Sequence, residues 1–271
     1  MKVSDGKSCM QDKDDAPSPA GRGSIEHHFN IAYLYPPAIG LAGILSMLYI
    51  SALMRGRRLP VLPLSPFPEI SFTGTRQLYI LPVSFLVLGL IFIYDRRNYS
   101  LFFRMGDLGA RVGPLKLLGL KGTESWKKIG PLIAGLLTGG TLIFMAAEVI
   151  GLKGISHATV IKLLPFVLIF SAANAWSEEI FGRFAVVAGL SGRLKPRTIF
   201  WISAGIFGIP HYFGTPGGPI GVLMAGFLGW LLAKAVYETR GMFWAWFIHF
   251  VQDVVIFTAQ VMILAGAADV V

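Results

Sequence analysis

Four stretches of this chain, residues 30–54, 77–94, 129–147 and 215–233, contain no Asp, Glu, Lys or Arg. About 18 to 20 apolar residues cross the roughly 30 Å hydrocarbon layer of a bilayer as a helix. Within that layer each backbone N–H and C=O must be satisfied inside the segment, which an α-helix does. The stretches therefore predict an all-α protein, a polytopic transmembrane helical bundle. Composition agrees. The chain is 54% hydrophobic and 14% charged, whereas about a quarter of the residues of a soluble domain are charged. The expected location is a cell membrane, as a multi-pass protein whose first partner is the lipid bilayer.

About seven spans are expected, over 30–54, 77–94, 129–150, 159–189, 198–213, 217–237 and 241–266. Residues 1–29 are polar, mixed in charge and without the apolar core of a signal peptide, so they read as a disordered tail. Residues 30–128 read as two transmembrane helices plus a basic loop, and residues 129–271 as a catalytic membrane domain. The loop from Asp95 to Lys128 is rich in Arg and Lys. Residues 191–197 add Arg193, Lys195 and Arg197, and residues 237–241 add Arg240; positive charge near span ends marks the cytoplasmic side. That places these three segments and the N-terminus inside, with "RGRR" at 55–58 as the conflict. The net charge of +9 is explained by topology, so no nucleic-acid partner is expected. The proline-rich "LPVLPLSPFPEI" (59–70) interrupts helix. "YSLFFRMGDLGARVGPLKLL" reads either as a segment lying on the membrane surface or as an irregular loop. Gly221, Ala225 and Gly229, four apart, let helix backbones approach closely.

Against this background, "WSEEIFGRF" (176–184) puts two carboxylates and a guanidinium into a membrane-buried run. Each ionisable group near the bilayer centre costs roughly 2.5–3.5 kcal/mol on insertion scales. Residues four apart share a helix face, so Glu179 can pair with Arg183. Glu178, rotated about 100° away, has Asn174 one turn back and is left available for chemistry. His211 follows Phe207 by four residues in a short span broken by Pro210. His249 and Asp253 share a face of the last span. At a rise of 1.5 Å per residue, Glu178, His211 and His249 lie about 16, 20 and 12 Å in from one side. Three helices thus bring polar side chains to one slab of the membrane.

Glu178-Glu179-x-x-x-Arg183, Phe207-x-x-x-His211 and His249-x-x-x-Asp253, in this order over roughly residues 160–255, resemble the three-motif signature of the CAAX-protease and bacteriocin-processing (CPBP, or Abi) family. The resemblance implies an intramembrane endopeptidase. It would hydrolyse a peptide bond of a membrane-associated peptide or membrane-protein substrate, prenylated or not, with water activated by Glu178 and His211. It implies that His249 and its partner stabilise the oxyanion, a task for fixed donors aimed at developing charge. Asp253 stands where some members have Asn. An ionised Asp cannot donate a hydrogen bond, so Asp253 is expected to orient His249 and support its protonated form. A divalent metal such as zinc, held by His211, His249 and a carboxylate, is one form of the mechanism. A metal-free glutamate mechanism is slightly favoured.

Other readings compete. There is no HExxH, as a zinc protease of the site-2 type would need. "GLSG" (189–192) spells a rhomboid nucleophile pattern but sits at a span end beside Arg193 and leaves the glutamates unexplained. A non-catalytic scaffold or bacteriocin-immunity protein of the same family is the main alternative. A proton-coupled transporter using the same Glu, His and Arg groups lacks the repeated half that transporters carry.

Overall fold

The computed structural model describes residues 30–65, 67–115, 119–149, 157–214 and 217–268. The tail expected over 1–29 lies outside them. A 3-10 turn (Ile31–Leu34) leads into α1 (Tyr35–Arg55), followed by α2 (Pro68–Tyr94) and a short α3 (Arg96–Phe102). After the basic loop comes α4 (Trp126–Val149). Helix α5 (His157–Glu179), a π-helical turn (Ile180–Phe184) and α6 (Ala185–Leu190) run on without a break. Helix α7 (Pro196–Gly208) tightens into a 3-10 segment (Ile209–Phe213), and α8 (Gly218–Thr239) and α9 (Phe243–Ala268) follow. Among the described residues there is no strand, only isolated bridges in loops.

Five of these helices, over residues 31–55, 68–94, 126–146, 218–239 and 243–263, are long and apolar enough to cross a membrane. The other two expected spans correspond to the continuous helix from His157 to Leu190 and to α7 with its 3-10 extension. The first carries Glu178, Glu179 and Arg183, and the second is short. Charges turned into a bundle are compatible with spanning. About seven spans therefore describes the fold.

One boundary differs from the sequence reading. Helix α2 starts at Pro68, inside the proline-rich segment, after an extended Phe67. Proline suits the first helical turn, where its missing N–H would have no intrahelical partner. Arg76 therefore lies within the helix rather than before it. The basic segment resolves into α3 followed by irregular loop, with residues 116–118 outside the described set.

The three basic segments assigned to one side do meet at one face of the bundle. Asn98 Nδ2 donates to the Ser191 carbonyl at 2.9 Å, and Arg193 pairs with Asp95 at 2.6 Å. Burial works to raise the Asp95 pKa, but the Asn98 N–H and the Arg193 guanidinium outweigh it and hold the carboxyl below its ordinary value. The Asp107 N–H donates to Thr239 O at 2.8 Å and the Met242 N–H to Arg104 O at 2.8 Å. Gly106, at φ +86°, backs directly onto Gly241, where a Cβ on either residue would collide with the other's backbone. Glu238 accepts from Trp126 Nε1 at 3.0 Å and from the Gly113 N–H at 3.1 Å, and it is paired with Lys234. Ser191 of "GLSG" is spent in this layer too, its Oγ donating to Val187 O at 2.6 Å.

Small residues set the helix spacing. Gly221, Ala225 and Gly229 are all buried, and a Cβ on Gly229 would sit 3.1 Å from the Ser203 carbonyl of α7. On the other side, Gly40 of α1 faces the Phe181 carbonyl of the π turn so closely that any Cβ would strike it. Gly40→Leu is expected to destabilise the fold by about 1–3 kcal/mol or more, read as a lower unfolding temperature in detergent. An unchanged temperature would mean that α1 does not pack on this turn.

Candidate active site

The site is assembled from four parts of the chain. Helix α5 carries Asn174, Glu178 and Glu179, and the π turn that follows carries Arg183. The 3-10 segment after α7 carries His211, and α9 carries His249 and Asp253. Helix α2 adds Arg76 and Gln77. The π turn is closed by the Ala185 N–H donating to Ile180 O, five residues back. Such widened turns occur often at functional sites, and this one directly follows the two glutamates.

His249 is the hub. Its Nδ1–H donates to Glu179 Oε1 at 2.7 Å. That leaves Nε2 3.6 Å from Glu178 Oε2 and 3.6 Å from Asp253 Oδ1. Glu179 Oε1 also takes the Arg183 guanidinium at 3.2 Å, and that guanidinium lies over the Phe207 ring, 3.6 Å from its centroid. Arg183 is fully buried and Glu179 is 1% exposed, whereas the Glu178 side chain is 14% exposed. One glutamate is walled in by its ion pair, and its neighbour faces open space.

Asn174 bridges the other two carboxylates. Its Nδ2 donates to Glu178 Oε1 at 3.0 Å and to Asp253 Oδ2 at 3.1 Å. Its own carbonyl accepts from Gln77 Nε2 at 3.3 Å, which fixes which end of the amide points at the acids. His211 Nδ1–H donates to the Phe207 carbonyl at 2.7 Å. Its Nε2 is thereby left to accept or donate elsewhere. The rings of His211 and His249 both stand against Phe207, with centroids 4.5 and 5.7 Å away.

Glu178, His211, His249 and Asp253 line one cavity of about 820 Å³ together with Asn174 and Arg76. Its outer wall includes Arg55, Glu69, Phe144 and Gln260, from the ends of α1, α2, α4 and α9 remote from the basic loop. A second, apolar cavity of about 530 Å³, walled by Phe103, Trp176, Phe243 and Trp246, reaches Glu179 from the loop side. Among the described residues, no three His, Cys, Asp or Glu side chains gather closely enough to hold a metal ion. The set expected from the resemblance, His211, His249 and a carboxylate, is thus not gathered into such a cluster among the described residues.

The six residues singled out in the sequence thus come together. Glu178, Glu179, Arg183, His249 and Asp253 are in direct contact, and His211 joins them through Phe207 and the shared cavity. His249 has two acidic neighbours, Glu179 on Nδ1 at 2.7 Å and Asp253 at 3.6 Å from Nε2. Spacing within one helix could not reveal a partner on another. Sequence reasoning missed Arg76 and Gln77 and gave Asn174 no role beyond its place one turn before Glu178. The signal was present in Arg76, a charge abutting an apolar run.

Residues 160–255 match the family model described as Type II CAAX prenyl endopeptidase Rce1-like. The matched segment takes in all six residues and Asn174 but stops short of Arg76 and Gln77. The curated proteins and the solved structures compared with the chain give no match.

Proposed function

We propose that this membrane protein, whose residues 160–255 carry the Rce1-like type II CAAX prenyl endopeptidase domain, hydrolyses a peptide bond of a membrane-associated substrate inside its larger cavity. The observation that carries the reading is the placement of Glu178. It is the most accessible carboxylate of the cluster, is held by Asn174, and shares its cavity with His211. A water between Glu178 and His211 Nε2 loses a proton to Glu178 as its oxygen attacks the substrate carbonyl carbon. A general base must stand within hydrogen-bond reach of the proton it takes. The resulting oxyanion is met by His249, which as an imidazolium presents its Nε2–H from a ring fixed by Glu179. Fixed donors of this kind stabilise charge as it develops. When the tetrahedral intermediate collapses, the C–N bond breaks and Glu178 returns the proton to the leaving amine, so water and peptide yield an acid and an amine. The substrate is a peptide or membrane protein, prenylated or not, in a cell membrane, with the basic-loop face on the cytoplasmic side.

The test compares the termini of membrane proteins in cells with the active protein and in cells with a Glu178→Gln version. New termini that need Glu178 support hydrolysis, and termini that still form in the variant exclude it as the base. Chelation checks the metal-free form. Dialysis against EDTA or phenanthroline is expected to leave the cleavage rate unchanged. A loss of activity that zinc restores would replace this mechanism with a metal-assisted one.

A further inference from the structure

We propose that Arg76 is a specificity-determining residue that binds a carboxylate carried by the peptide substrate. The inference rests on the endopeptidase reading and adds to it a chemical requirement on what enters the cavity. Arg76 lies on α2, outside the segment matched by the family model, and lines the same cavity as Glu178, His211 and His249.

The two guanidiniums of the site are held in different ways. Arg183 is consumed by the structure, paired with Glu179 and laid on Phe207. Arg76 donates through Nε to Ser51 Oγ at 2.9 Å, and that hydroxyl is itself anchored on the Met47 carbonyl at 2.7 Å. The anchoring fixes the fork from behind. Among the described residues, its two Nη groups form no hydrogen bond, and no carboxylate oxygen lies within ion-pair distance of them.

A counter-ion for the catalytic acids would be expected to touch them, and this one does not. Both Glu178 oxygens already face Asn174 and His249, and both Asp253 oxygens do the same. Arg76 stands close enough to feel the charge of Glu178 and Asp253, and of Arg55 farther out on α1. Arg55 and Glu69 both stand on the outer wall of the cavity. A fixed, unpaired guanidinium facing the cavity is suited to a planar anion, which its fork grips with two parallel hydrogen bonds. The cavity falls within the usual range of about 300–1,000 Å³ for ligand pockets.

On a peptide that anion is either the C-terminal carboxylate or an Asp or Glu side chain near the scissile bond. The test uses the full-length protein in lipid nanodiscs and a degenerate pool of lipid-anchored peptides. The pool is made with a free C-terminal carboxylate or the C-terminal amide, and with Glu or Gln at randomised internal positions. Mass spectrometry gives the turnover ratio of each acid to its isosteric amide, a quantity in which the folded fraction of the protein cancels. The wild-type protein is expected to favour one acid form roughly ten- to hundredfold, the range for hydrogen bonds to charged groups, and the arm that responds identifies the source. Arg76→Gln erases the preference. Arg76→Lys keeps part of it, since it retains the charge but not the fork. Equal turnover of acid and amide by the wild type, or a preference that survives Arg76→Gln, overturns the assignment and leaves the endopeptidase reading standing. Failure of the wild type to cleave any member would remove that reading and this inference together.

Discussion

Replacing Glu178 with Gln is expected to lower kcat by roughly 10²- to 10⁴-fold, the usual contribution of a general base, with KM and unfolding temperature nearly unchanged. The substitution is close to isosteric. The Gln carbonyl can still accept from Asn174 Nδ2, as Glu178 Oε1 does at 3.0 Å. What it cannot do is take a proton from water. The side chain is 14% exposed and makes no ion pair closer than 3.6 Å to His249, so little structural energy depends on its charge. Initial rates on one substrate, with thermal unfolding of both proteins in detergent, separate chemistry from folding. The pH profile supplies a second readout, because the acidic limb of kcat/KM that reports the base should vanish in the variant. A rate within a few-fold of wild type would move the base elsewhere in the cluster, with Asp253 the next candidate.

How much of this could be read in the sequence depends on the range of each interaction. Charge-free stretches announce the helices because the hydrocarbon layer penalises anything else, and that rule acts residue by residue. The pairing of Glu179 with Arg183 and the place of Asn174 one turn before Glu178 were legible for the same reason, since both follow from one helix turn. Contacts between helices were not. Glu179 and His249 are 70 residues apart, and no spacing in the chain encodes their approach. Nor does anything in "EEIFGRF" signal that the helix widens into a π turn at Ile180. Arg76 shows a further limit. Hydropathy counts a charge against a span whichever way it points, so in the sequence the arginine reads as the end of a helix. In the fold it faces the cavity from the helix interior, the orientation that makes a charge tolerable there.

Arg183→Met is expected to cost about 3–5 kcal/mol of stability, because it leaves the Glu179 carboxylate buried without its cation. Glu179 is 1% exposed, and its Oε2 has no hydrogen-bond partner, so the full burden falls on Oε1, which Arg183 and His249 share. Glu179→Gln combined with Arg183→Met removes the stranded charge along with the cation. The double variant should regain most of the stability, since replacing both members of a buried pair is often close to neutral. It should not regain turnover. The neutral amide that replaces the Glu179 carboxylate can still accept the Nδ1–H of His249, but it no longer offsets the charge of an imidazolium working on the oxyanion. Unfolding in detergent followed for the wild type, both single variants and the double variant gives the coupling energy, and cleavage rates on the same four proteins give its catalytic counterpart. A double variant no more stable than Arg183→Met alone would show that the guanidinium is held by Phe207 rather than by the glutamate. In that case Glu179 would be positioned by His249, and the hub of the site would have to be rebuilt around the imidazole alone.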